Sequence, residues 1–402
     1  GPITFPLWPG QKAKVINGHE LREDQYLVVR VYDQVDEKEC QIGEEKIAKG
    51  SEVSFYIPKT GFEVLPNVKG GYVQDARHLR KNTGLHVRVV KDFEASAGDQ
   101  VPPGKYHAGQ EIFLRDHEGF FFPSGNLEVV GEVQTIPIAE KEGVYVRELE
   151  TGKISTEIGP KNFLPDPTKV EVVTRPLDPE TAKRYGNLQN AGKAVSIYIP
   201  PSYAVMVTTK DRRDVVKGPQ TKILNFDEDL EVLRLSTGKP KTDSVILPTC
   251  FLQTNGNKVS DIVRVKTSDH VELDVTLSYR VSFAEGDKET GNDRWFNVKN
   301  YVGLLCDHLG SIVRAAVRGA SVETFHAKST EVIRSAILGE KHGEEKRAGR
   351  HFDENGMFVY DVEVLDVRIL DADVKKLLSD AQRSAIMAEV NTKQEGLRLN
   401  SE

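Results

Sequence analysis

An eleven-residue stretch recurs along the first part of the chain at near-constant spacing. It reads Leu21-Arg-Glu-Asp-Gln-Tyr-Leu-Val-Val-Arg-Val31. It returns as Leu79-Arg-Lys-Asn-Thr-Gly-Leu-His-Val-Arg-Val89 and again as Ile138-Ala-Glu-Lys-Glu-Gly-Val-Tyr-Val-Arg-Glu148, at offsets of 58 and 59 residues. Each copy carries an apolar residue, a charged turn and an alternating run: Leu27, Val29 and Val31; Leu85, Val87 and Val89; Val144 and Val146. Period-two alternation marks a half-buried strand, and self-similarity at a fixed offset marks an array of small supersecondary units. A second motif is interleaved with the first, as Gly1–Pro6, Gly61–Pro66, Gly119–Pro123 and Gly159–Pro165. Its glycine permits a turn, its aromatic or apolar centre packs, and its proline ends pairing. A lone unit of about 58 residues has a marginal core, and stacking end to end supplies the missing burial. The expectation is an extended array of small antiparallel β repeats over 1–66, 67–123 and a shortened 124–173.

Residues 174–193 contain Pro176, Pro179, Gly186 and Gly192 and few apolar residues, which reads as a linker with a short helix at Pro179–Tyr185. The segment 194–370 is expected to be an α/β domain nucleated by Val271–Phe283. There Val271, Leu273, Val275, Leu277, Tyr279, Val281 and Phe283 alternate with polar residues. The period then changes to three and four along Val298, Val302, Leu305, Leu309, Ile312, Val313 and Ala316, an amphipathic helix. A second helix is expected over Val322–Leu338. Gly339–Gly356 is charged and rich in glycine, and is expected to be mobile. In the last strand Phe358, Tyr360, Val362 and Val364 give way to Leu365, Val367 and Ile369, a phase slip of the kind a β-bulge produces.

From Asp371, a suitable N-cap, residues 371–402 read as the start of a long helix. Val374, Leu378, Ala381, Ala385 and Ala388 step by four, three, four and three, a heptad seam suited to close helix–helix contact. These five are the expected subunit-interface residues. The fold class is therefore multidomain α+β: tandem antiparallel β repeats, an α/β domain and a long terminal helix.

With 402 residues, 38% hydrophobic and 29% charged, the chain has the composition of a soluble folded protein of several domains. A net charge of −7 argues against a nucleic-acid-binding surface as the main function. Cys40, Cys250 and Cys306 lie far apart, so neither a disulfide framework nor a zinc site is indicated, and a reducing, cytoplasmic setting is expected. No apolar run reaches the roughly 18–20 residues that span a bilayer, and no signal peptide is visible. There is no initiator Met, so the chain is expected to be part of a longer protein.

Chemistry-bearing motifs are weak. Gly186–Ala194 has one residue too many for a phosphate loop, and Ala stands where Ser or Thr should hold Mg²⁺. The acidic runs Asp33–Glu39 and Asp92–Asp99 lack EF-hand spacing and read as solvated turns. His270 beside Asp269 reads as a turn residue and not as a catalytic dyad. Lys210–Arg213 and Lys239–Lys241 are small basic turns. No enzyme and no cofactor are expected.

Several spaced segments resemble the major vault protein family, in the same order and over essentially the whole chain. They are the repeated Gly-Pro-aromatic motif with its strand, Lys217-Gly-Pro219, Val232–Pro240, Thr267-Ser-Asp-His270, Ser311–Ala316 and Phe352-Asp-Glu-Asn-Gly356. The resemblance implies vault repeats, a shoulder of the band-7 (SPFH) type and the start of a cap helix. It implies a structural subunit that associates with copies of itself into a large hollow ribonucleoprotein shell, with protein or RNA as cargo. The alternative is a band-7 scaffold associated with a membrane. About three repeats are visible, fewer than the family carries.

Overall fold

The computed structural model describes residues 3–13, 15–33, 41–67, 70–96, 99–115, 118–186, 192–285, 292–341 and 346–399. The chain forms two compact units, Gly1–Thr174 and Arg175–Glu402.

Three small β modules make up the first unit. In each, a short two-stranded sheet accompanies a sheet built on a central strand: Gln25–Val31, Thr83–Val89 or Gly143–Glu148. The central strands carry equivalent core residues. Leu27, Leu85 and Val144 are buried, as are Val29, Val87 and Val146. The modules close later than the Gly…Pro motifs suggest. Gln74–Asp75 pairs with the first central strand, and Leu127–Gln134 with the second, so boundaries at 66/67 and 123/124 are each several residues too early. After the proline the chain crosses its own module once more before leaving it.

The motif at Gly61–Pro66 is also misaligned. The strand equivalent to Gly119–Phe121 and Lys161–Phe163 is Phe55–Tyr56, each of which pairs with the strand that opens its module. Phe62–Val64 instead pairs with the central strand, as Leu127–Val129 and Val170–Val173 do. These closing strands place Glu63, Glu128 and Glu171 directly opposite Arg30, Arg88 and Arg147, at 2.8, 3.9 and 3.2 Å. Exposed pairs of this kind contribute about 0.2–1 kcal/mol each, so they fix register more than stability. The outer face of the first central strand packs on the next module, where Tyr26 meets Phe122 edge-on at 5.7 Å.

Residues 194–253, expected to open the α/β domain, fold instead as a fourth module. Ser196–Ile199 pairs with Gln220–Ile223. The central strand Tyr203–Thr208 pairs with Arg213–Lys217 on one side and with Asp229–Leu230 and Leu252–Gln253 on the other. Ile199, Val205 and Val207 bury where Ile138, Val144 and Val146 do in the third module. Lys141 and Ser202 take the same left-handed turn position, with φ of 64° and 62°. Val205 and Val207 face this module's own core, while Ala204 and Met206 face the larger core that follows.

The segment expected as a linker is part of this unit. Arg175 donates to the carbonyls of Asn225 and Glu228 and to the Asp229 carboxylate. Asp178 caps the helix Pro179–Arg184, and Tyr185 is buried with Ile197 and Leu224. Residues 187–191 lie outside the described set.

Glu228 is 1% exposed in this module. It accepts from the Asn225 backbone N–H at 2.9 Å and from Lys222 Nζ at 3.0 Å. Burial works to raise its pKa, but these donors outweigh burial and hold the carboxyl below its ordinary value. Because the folded pKa is the lower one, its contribution is present above the unfolded carboxylate range and disappears as pH falls through the folded value. Glu228→Gln is expected to lower the melting temperature at neutral pH and to flatten its decline between about pH 5 and pH 3. Parallel melting curves for the two proteins across that range would refute the assignment.

Beyond this module lies a four-stranded antiparallel sheet in the order β1 (Asn257–Lys266), β2 (Glu272–Phe283), β4 (Met357–Ile369), β3 (Arg350–Phe352). Its apolar face takes Leu273, Val275, Leu277, Tyr279, Val281 and Phe283 of β2 and packs on α1 (Tyr301–Arg318) and α2 (Val322–Leu338). The other face carries cross-strand ion pairs such as Arg264–Asp274 at 2.9 Å. The phase slip in β4 is a bulge at Leu365, but a second bulge at Tyr360 shifts the earlier half. Met357 and Val359 are therefore the buried residues there, and Tyr360 is exposed. Part of the stretch expected to be mobile is β3, and Arg347 bonds back to Glu331 and Ser335; residues 342–345 lie outside the described set.

Candidate functional site

α3 (Ala372–Leu399) leaves the sheet directly after β4. Asp371 caps it, accepting from the backbone N–H groups of Asp373 at 2.9 Å and Val374 at 3.2 Å. Of the five expected interface residues, Val374 and Leu378 are half-buried, Leu378 against the sheet–helix core. Ala381, Ala385 and Ala388 are exposed, as is every residue from Ser379 to Gln394. The five lie on one side of the helix, and their first turns face this unit's own body. Between α3, the start of α2 and the end of β4 runs a groove of about 610 Å³. Ala327, Ile369, Ala381 and Ala385 give it apolar walls, and its polar lining is of mixed charge, with Glu323 and Asp366 beside Arg368 and Lys375.

A second apolar stripe, outside the heptad pattern, lies on roughly the opposite side of α3. Ile386, Met387 and Val390 are 61, 61 and 47% exposed. The four-residue step from Ile386 to Val390 is its signal in the sequence. Also unforeseen is the outer strand Thr242–Thr249, whose Val245 and Leu247 are exposed.

The segments that carry the family resemblance hold the fold together. Asp269 accepts the Val322 N–H of α2 with both carboxylate oxygens at 3.1 Å, and the Thr267 hydroxyl donates to it. That hydroxyl bond, with the Val322 N–H, outweighs burial and lowers its pKa. His270 sits in a left-handed turn conformation with φ of 66°, and its backbone N–H donates to the Thr267 carbonyl at 3.1 Å. Asn355 is wholly buried, and its side-chain oxygen accepts the Met357 N–H in the turn before β4.

Cys250 and Cys306 are buried free thiols; burial pushes Cys250 up to about 12 and Cys306 also upward, so both are poor nucleophiles. Of the acidic runs, Asp92 accepts the Ala108 N–H at 2.7 Å and Asp99 the Ser96 N–H at 2.6 Å, which is turn chemistry. Residues 34–40, with most of the other run, lie outside the described set. Among the described residues no His, Cys, Asp and Glu group gathers into a metal-binding cluster, and no helix is long and apolar enough to cross a membrane.

The family described as Shoulder domain, of the MVP shoulder type, matches residues 255–371, which is the four-stranded sheet with its two helices. The chain is 29% identical to the human major vault protein over 400 residues, covering 90% of this chain and 44% of the relative. It is 27% identical to the sea urchin Strongylocentrotus purpuratus protein, covering 96% and 46%, and 28% identical to that of the ray Diplobatis ommata, covering 98% and 49%. The chain thus spans less than half the length of the curated relatives it matches. The matches run through the β modules as well as the sheet domain: over 90% or more of its length the chain is similar to the major vault proteins, and residues 255–371 match the shoulder-domain family.

Proposed function

We propose that the chain is the structural part of a shell subunit, and that copies associate side by side into a large hollow, vault-like particle in the cytoplasm. The observation that carries this reading is α3. After Leu378 it runs on for many residues with its side chains exposed, apolar on two sides, and an isolated helix of that kind is only marginally stable in water. A stripe on each side suits a neighbour on each side, and contacts between unlike faces close into rings. The heptad residues Val374, Leu378, Ala381, Ala385 and Ala388 belong to the proposed seam.

The test is particle size for the protein containing this chain. Light scattering and negative-stain imaging should show a closed assembly of megadalton order, and a monodisperse monomer at micromolar concentration would count decisively against the shell. A point variant sharpens it. Ile386 is 61% exposed, so Ile386→Asp should leave folding within about 0.5 kcal/mol of wild type. In a seam, a buried unpaired carboxylate costs several kcal/mol, so the same variant should abolish the large particle. Unchanged particles would remove α3 from the closing contact.

A further inference from the structure

Two buried donors meet where β2 ends and β4 begins. Asn355, in the turn 353–356 before β4, is wholly buried. Its Oδ1 is fixed as an acceptor by the Met357 N–H at 3.2 Å, so Nδ2 is left to donate, and no described residue accepts from it. Arg294, in the short 3₁₀ helix Asp293–Phe296, carries the second donor: its Nε–H is buried and has no acceptor among the described residues. A Cβ on Gly356 would stand 2.7 Å from Arg294 Nε and 3.1 Å from Cζ, so the guanidinium lies against the backbone of the turn that carries Asn355. Both sides are held in place. The Gly356 carbonyl accepts the Ala284 N–H at 2.9 Å, and the Ala284 carbonyl accepts the Trp295 Nε1–H at 2.9 Å. Arg294 is also an exception among the half-buried arginines. Arg175, Arg184, Arg280, Arg334 and Arg347 each meet a carboxylate. The Arg294 side chain makes no ion pair and no hydrogen bond among the described residues.

We propose that Arg294 and the turn 353–356 form a binding site for a carboxylate. One of its oxygens takes the Arg294 Nε–H and the Asn355 Nδ2–H, and the other meets the parallel N–H of the same guanidinium. A water could accept from both donors, but it would leave a half-buried guanidinium without a counter-charge. A singly charged, planar anion is favoured over a phosphate by the surroundings. Asp293, Asp353 and Glu354 are exposed and flank the two donors in sequence, and Lys217 is taken by Glu285 at 2.7 Å. One positive charge in such a setting balances one negative charge, while a dianion or a polyanion would be repelled. The guanidinium fork matches carboxylate geometry directly. A small free carboxylate and the carboxylate of a protein segment share this chemistry. Neither α3 nor self-association is involved.

Acetate is the probe, and thermal melting of the whole chain at constant ionic strength is the readout. A ligand that binds only the folded protein raises the melting temperature by mass action. In wild type the melting temperature is expected to rise with acetate and to saturate, with half the effect on the order of 1–10 mM, as suits a single charge-assisted fork. Arg294→Gln should remove the saturable rise. Arg294→Lys should remove it too, because the charge stays while the fork is lost. Asn355→Asp keeps the acceptor for Met357 and sets its second oxygen in the place of Nδ2, facing Arg294, so acetate should no longer act. Where Arg294→Gln fails to fold, the other two variants decide in the same way. An equal rise in wild type and variants, or none in any, would overturn the site and leave the two donors to a bound water. A larger rise with inorganic phosphate than with acetate would overturn the choice of a carboxylate. N-acetyl-trialanine, run beside acetate, separates the sources: a tighter response to the peptide assigns the site to a protein segment, and an equal or weaker one to a small free carboxylate.

Discussion

Leu309→Ala is expected to destabilise residues 175–402 by about 2–5 kcal/mol, a fall in melting temperature of roughly 4–20 °C. Leu309 is fully buried on α1 among Leu277, Tyr279 and Val313, where helix and sheet share one core. Removing its isobutyl end loses transfer free energy and leaves a cavity, because β2 is held on both sides by long ladders and cannot collapse into the space. Leu365→Ala is the paired control. Leu365 is the bulged residue of β4 and is 52% exposed, so its loss should fall within about 0.5 kcal/mol. Hydrogen exchange of the β2 amides would report both. Protection unchanged in Leu309→Ala would mean that α1 does not share the sheet's core. The fourth β module should respond with the sheet, because Ala204, Met206 and Leu252 belong to the same apolar cluster.

What the sequence makes legible follows from how locally each element is determined. β2 can be read because every second residue from Leu273 to Phe283 is apolar and one face is buried. α2 runs over Val322–Leu338 as expected because Ser321 caps it and Gly339 ends it. The fourth module is hidden because its turn is Pro200-Pro201-Ser202 where the others have charged residues, and because the Val-Arg pair that all three others share has become Val207-Thr208. Backbone geometry survives where side-chain chemistry has drifted. The closing strands escape the pattern because Gln74–Asp75 and Leu127–Gln134 are tied to their modules by long-range ladders that proline punctuation does not reveal. At the candidate interface, the heptad pattern gives one side of α3. The other stripe begins only at Ile386, and the groove beside α3 is made by three separate elements, which no local pattern encodes.

A glycine at one fixed position ties the modules together and yields the second large effect. Gly50, Gly159 and Gly218 each follow the strand that pairs with the central one, and donate to the carbonyls of Gln25, Glu142 and Tyr203 at 2.8, 3.1 and 2.9 Å. Those acceptors stand four residues after Leu21, Ile138 and Ile199, so one bond recurs in three modules. A Cβ at these positions would lie 1.7 Å from the Arg22 carbonyl oxygen, 2.2 Å from that of Ala139 and 2.0 Å from that of Pro200. Backbone oxygen cannot swing aside as a side chain can, so the strand end itself must move. Gly159→Ala and Gly218→Ala are therefore each expected to cost about 1–3 kcal/mol or more, each confined to the compact unit that carries it. Gly131 supplies the contrast. It sits in a strand, where a Cβ would meet nothing within 4 Å, and it has no left-handed φ, so Gly131→Ala should be neutral or stabilising by up to about 1 kcal/mol. Denaturant unfolding of the three variants, with hydrogen exchange to locate the loss, decides the matter. Wild-type stability in both Gly159→Ala and Gly218→Ala would show that the recurring glycine is incidental, and loss in Gly131→Ala equal to theirs would show that any glycine replacement in these sheets is harmful.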